Sequence, residues 1–125
     1  MKKTRFGDYE RKVTFACWAN YDVHVVFTES IPLSRKARYG TAGDSDGAGA
    51  LHASAIGGRA HLFFKIGNCP TGVIAHESWH AICCLMTEWA GVKELDNEAV
   101  AYDLGYLVQK VADFRNDLID SGVKL

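Results

Sequence analysis

The tightest constraint on this chain is the stretch from Thr71 to Ala90, which carries His76, Glu77 and His80 in the order H-E-x-x-H. On a helix, residues four apart lie one above the other on a single face. The spacing lets both imidazoles reach one metal ion. Glu77, turned by about 100° from His76, flanks that ion with a carboxylate placed to take a proton from water. Two His ligands, one further ligand, an open position and a carboxylate base are the parts of zinc-assisted hydrolysis. A helix is expected here without the motif. Pro70 and Thr71 suit its start, with Thr71 as N-cap. Ala75, Trp79, Ile82 and Met86 form an apolar stripe at helical spacing, with the two His beside it on the buried side. Gly91 stands where helices commonly stop.

A third ligand is needed, and the next segment offers one. Asp96 is a good N-cap for a second helix running to about 114, which puts Glu98 in its first turn, where the helix dipole favours a carboxylate. Two helices with a short connection pack as antiparallel neighbours, which brings that turn back towards the first helix. Glu94, Asp96 and Asp103 compete with Glu98 for the role. Leu95, Ala99, Tyr102, Tyr106, Leu107 and Val111 are expected to form the apolar face of this helix, with Gly105 allowing close packing. Tyr102 and Tyr106 are candidate hydrogen-bond donors to an oxyanion, against the plainer reading of core tyrosines.

His76-Glu77-Ser78-Trp79-His80 followed by Asn97-Glu98-Ala99-Val100-Ala101-Tyr102 resembles the gluzincin branch of the zinc metallopeptidases, the thermolysin-like family among them, over roughly residues 60 to 110. The resemblance implies one zinc ion on His76, His80 and Glu98, with Glu77 as general base and acid. In the family pattern an Asp four residues after the ligand Glu orients the first His. Here Tyr102 holds that position and Asp103 follows it, so Asp103 is the candidate partner of His76. The resemblance further implies that residues 59 to 66, Arg-Ala-His-Leu-Phe-Phe-Lys-Ile, form the edge strand along the cleft. An extended peptide would add to that strand, with His61 and Phe63 on the substrate side.

The remainder is consistent with an α+β, zincin-like domain: a small twisted, mixed or antiparallel sheet on an H-E-x-x-H helix and a second ligand-bearing helix. With 125 residues the chain is read as one domain. Val13, Phe15 and Cys17, then Val23, Val25 and Phe27, alternate with other residues as in two strands of a hairpin. His24 is read as an outward strand residue. Arg35, Lys36 and Arg38 are read as a solvated surface cluster. Residues 39 to 59, rich in Gly, Ala and Ser, read as a mobile loop, with a short helix open between Ala48 and Ile56. Cys17, Cys69, Cys83 and Cys84 lack a C-x-x-C spacing and read as buried small residues rather than a disulfide framework.

A net charge of −1 gives no reason to expect nucleic acid or an anionic membrane as a partner. No apolar run is long enough to span a bilayer. The basic N-terminus has no apolar core of a signal peptide, so the expected compartment is the cytoplasm. The expected function is a zinc-dependent hydrolase acting on a peptide or protein. It would be a minimal single-domain version of the family, such as small bacterial or phage-encoded proteins. Two competing readings remain: a zinc-containing binding protein that keeps the fold without cleavage, and a structural metal site closed by a cysteine or His61.

Overall fold

A computed structural model describes residues 1–16, 18, 21–41, 47–53, 58–95 and 98–125. The architecture is mixed α+β. The elements in chain order are β1 (Tyr9–Thr14), β2 (Asp22–Thr28), α1 (Ile31–Tyr39), β3 (Gly49–Ala53), β4 (Arg59–Lys65), α2 (Thr71–Cys83), a π-helical continuation of α2 (Cys84–Trp89) and α3 (Glu98–Asp120). The four strands form one sheet in the order β1-β2-β4-β3. β1 and β2 are antiparallel, β2 and β4 parallel, β4 and β3 antiparallel.

Period-2 alternation divides the sheet into two faces. Val13, Val23, Val25, Phe27, Leu62 and Phe64 pack with Ile74, Ala81, Ile82, Leu85 and Met86 of the α2 rod and Val100, Leu107, Val111, Phe114 and Leu118 of α3. The opposite face is smaller: Val26, Ala50 and Phe63 pack against Ile31 and Tyr39 of α1. Helices therefore cover both sides, and each sheet residue is committed by its register to one side or the other.

α1 was hidden behind its charges. Ser30 is its N-cap and accepts from the Leu33 N–H at 3.3 Å, Pro32 sits in its first turn, and Gly40 closes it at φ +80°. Arg35, Lys36 and Arg38 thus belong to a helix, and Arg38 turns inward. The Gly-rich segment also holds an element: Gly49–Ala53 is a strand paired with β4, not a helix. Residues 42–46 and 54–57 of that expected mobile loop lie outside the described residues.

α2 forms where expected, with Pro70 rather than Thr71 as N-cap. Of the expected stripe Ile82 and Met86 are buried, but Ala75 is exposed and Trp79 is 39 % exposed; in the first turns Ile74 and Ser78, one position earlier, face the core instead. Past Cys83 the pitch loosens. The Ala90 N–H bonds the Leu85 carbonyl at 2.9 Å, an i→i−5 bond, and the Thr87 hydroxyl donates to the Cys83 carbonyl at 2.6 Å. Gly91, at φ +69°, ends the rod, and the Val92 N–H closes onto the Met86 carbonyl.

α3 runs antiparallel to α2, because Arg115 near its C-terminal end donates to the Cys69 carbonyl and to Thr71 at the start of α2. Its buried residues recur at Val100, Leu107, Val111, Phe114 and Leu118, every three, four or seven positions. Tyr102 and Tyr106 fall off that stripe and are 75 % and 40 % exposed. Gly105 faces open space: a Cβ there would meet nothing within 4 Å. The close packing expected of it is absent. Among the described residues, no helix is long and apolar enough to cross a membrane.

Candidate metal and hydrolytic site

α2 brings His76 and His80 together as its periodicity requires. Their Nε2 atoms lie 3.2 Å apart, with ring planes at 80°. Two nitrogens each about 2.05 Å from one tetrahedral ion would be about 3.3 Å apart. The bite of the pair therefore fits one zinc-sized ion. Both rings are exposed, on the solvent side of the helix rather than on a buried side.

Glu77 is half-buried and turns towards the end of the sheet. Its side chain lies across Gly49: a Cβ added there would stand 2.5 Å from Glu77 Cγ and 3.1 Å from both Glu77 Cδ and Val73 Cγ1. Glycine is thus what lets the carboxylate side chain pass over β3. Gly47, Ala48, Gly49, Gly72, Val73, His76 and Glu77 line an open cleft of about 340 Å³. The strand beside this cleft is β3, the terminal strand of the sheet.

That placement corrects the expected substrate strand. β4 is paired on both sides, to β2 and to β3, so it is not an edge. Phe63 is fully buried against α1, and His61 shares its face of the sheet, opposite the face that packs on α2. Neither residue looks onto the cleft. For the same reason His61 does not serve as a fourth ligand to an ion on His76 and His80.

Glu98 opens α3 and is exposed, but it does not complete a compact triad with the two imidazoles. The cause is helix length. Arg115 is level with Thr71, and the helices run in opposite directions. Counting back to Glu98 along α3 covers about 26 Å, whereas Thr71 to His80 covers about 14 Å, at about 1.5 Å per residue. Glu98 therefore stands at the opposite end of α3 from the contact with Thr71. Asp96 and Asn97, between the two helices, lie outside the described residues.

The remaining candidates have other partners. Asp103 Oδ2 accepts from the Trp18 indole N–H at 2.9 Å, anchoring the Trp18–Tyr21–Trp89 aromatic cluster instead of orienting an imidazole. The Tyr106 hydroxyl donates to the Thr14 carbonyl at 3.0 Å. Glu98, Tyr102 and Tyr106 line a separate, more open groove on α3 that shares no lining residue with the Glu77 cleft.

A second polar constellation, not anticipated from the sequence, lies under α1. Among the described residues, the set of three metal-ligating side chains whose ligand atoms all lie within 4.8 Å of one another is Glu10, His24 and His61. Sheet register assembles it. His24 is opposite His61 in the parallel pair, and His61 is opposite His52 in the antiparallel pair. Arg38 reaches in from α1, donating to Glu10 Oε1 at 2.5 Å and to Asp8 at 2.6 and 3.1 Å. Burial alone would raise the Asp8 carboxyl, but hydrogen bonds from Arg38, Ser34 and Thr4 outweigh it and hold the pKa below the usual carboxylate value. Glu10 is likewise lowered, burial being outweighed by bonds from His24 and Arg38. Burial, with His24 and Arg38 adding to it, pushes the His61 imidazole down to about 4. Sequence alternation alone places Glu10 and His24 on pleats. Only the pairing register puts them, with His61, on one patch.

Compared with known proteins, the chain matches no family model, no curated protein and no solved structure.

Proposed function

We propose that the protein is a minimal zinc-dependent hydrolase of the zincin type, cleaving a peptide or protein at the cleft between α2 and β3. The observation that carries this reading is the 3.2 Å separation of His76 Nε2 and His80 Nε2, with Glu77 beside them over Gly49. His76 and His80 would hold the ion. An ion held there supplies Lewis acidity and a water acidified towards a pKa of about 7. Glu77 accepts the proton of the attacking water and returns it to the leaving amine as the C–N bond breaks. Its half-buried side chain lies over Gly49, beside the cleft. β3, ending the sheet beside it, is the strand against which an extended substrate would lie.

One observation favours a second reading. The α2 pair supplies two protein ligands, and Glu98 joins them only if the start of α3 moves towards His76 and His80. A chain that keeps the two-His arrangement without that movement would be a zinc-containing binding protein and not an enzyme.

Glu77→Gln separates the two, because the amide preserves size and metal ligands but cannot accept the proton. An enzyme loses turnover of a peptide library by at least about 100-fold, the usual worth of a positioned acid–base group, while zinc content is unchanged. Cleavage at an equal rate by both forms, or by neither, rejects the hydrolase.

A further inference from the structure

We infer that Glu10, His24 and His61 form a second site for a divalent borderline ion such as zinc, on the α1 face of the sheet and separate from His76 and His80. The geometry has the features of a built site. Glu10 Oε2 lies 3.0 Å from His24 Nδ1, close to the roughly 3.1–3.4 Å expected of two ligands on one tetrahedral ion. The His61 ring stacks on His24 with centroids 4.8 Å apart, and its ligand nitrogen, within 4.8 Å of the other two ligand atoms, closes to about 3.3 Å when the three share an ion. One carboxylate and two imidazoles are a set that zinc and its neighbours favour.

The groups behind these three are placed to hold them. Ligating histidines nearly always donate the other ring N–H to a carboxylate, a backbone carbonyl or water. For His24 the carboxylate within reach is Asp22, whose Oδ1 lies 3.0 Å from Nε2. Both of those buried atoms nevertheless lack a well-directed hydrogen bond. A small turn of the His24 ring towards a shared ion would complete the pair. The second oxygen of Glu10 is fixed by Arg38, and Arg38 is fixed in turn by Asp8. Asp8, Glu10 and Asp22 face two guanidiniums here, Arg38 and, at 3.5 Å from Asp22, the exposed Arg59. The rival occupant is a proton on His24, clamping it between Glu10 and Asp22.

The test uses the full chain carrying His76→Ala and His80→Ala, titrated with Zn²⁺ alone and followed by calorimetry and by the ring ¹⁵N signals of the histidines. The expected result is one Zn²⁺ per chain, with the His24 and His61 signals moving together. Asp22→Asn should then weaken binding by about 10- to 100-fold, as loss of such a supporting carboxylate does. His52→Ala, in the same row of the sheet but outside the set, should leave it unchanged. Failure to bind Zn²⁺, or binding that leaves the His24 and His61 signals in place, overturns the site and leaves the proton-clamped pair. The ring signals need no change within the cluster, so they decide the matter even if Asp22→Asn fails to fold. The outcome is also independent of whether Glu77 catalyses anything.

Discussion

Gly49→Ala probes the meeting of α2 and β3 most sharply, because glycine there is explained by one neighbour. The new Cβ would stand 2.5 Å from Glu77 Cγ, well inside the 3.5–4.0 Å optimum for carbon pairs. Gly49 has no positive φ, so alanine is not strained by the backbone. Glu77 is half-buried and has a route to solvent, so it will swing out. That exposes up to two methylenes, about half of which were covered, at about 0.8 kcal/mol each when fully buried. The Val73 methyl, 3.1 Å from the new Cβ, must also give by a few tenths of an ångström. Together these cost about 1–2 kcal/mol. Removing a glycine from the unfolded chain returns about 0.4–1 kcal/mol. The net loss is about 1 kcal/mol, a fall in Tm of about 4 °C for a domain of this size. In a Glu77→Ala background Cγ and Cδ are gone, and Gly49→Ala should become neutral or slightly stabilising. Urea denaturation of the four proteins should therefore give a coupling of about 1 kcal/mol between the two sites. Additive effects within about 0.3 kcal/mol would mean that Glu77 does not lie across Gly49, and the cleft would have to be drawn differently.

Arg38→Met should cost about 3–5 kcal/mol in urea denaturation, since it strands carboxylates around a guanidinium that is 6 % exposed, Asp8 among them at 1 %. The loss should shrink below about pH 4, because lowered carboxylate pKa values contribute stability that is present above the unfolded value and disappears as pH falls through the folded one. Burial, with Glu88 adding to it, pushes the Cys84 thiol up to about 11. Its alkylation at pH 8, mapped by mass spectrometry, should run about 100-fold slower than that of a model thiol and rise about tenfold per pH unit up to pH 10. Glu88→Gln should speed it.

Much of the framework was legible. The alternations at Val13 and at Val23-Val25-Phe27 are two strands, and H-E-x-x-H lies on a helix ended by Gly91. The errors have physical causes. α1 has a proper N-cap in Ser30 and a proper stop in Gly40, but three basic residues in nine concealed a helix whose inner end is Arg38. β3 lies in a segment whose glycines argue for a loop; it is a strand because it pairs antiparallel with β4, and Gly49 is glycine because Glu77 lies across it. On α3 the tyrosines looked like core, yet Val100, Leu107 and Val111 set the phase and turned Tyr102 outward. The Glu10–His24–His61 patch was illegible for a different reason. Its members are far apart in the chain, and strand register, which no local pattern specifies, is what joins them.

The measurement that bears most directly on the hydrolytic reading is a Zn²⁺ titration of the intact chain followed through the ring ¹⁵N signals of His76 and His80. If α2 holds one ion between them, the two Nε2 signals move together and saturate at the same equivalent of zinc, and His76→Ala removes the response of His80. If only one ring responds, or each responds at its own zinc concentration, the imidazoles do not share an ion, and α2 carries no hydrolytic site.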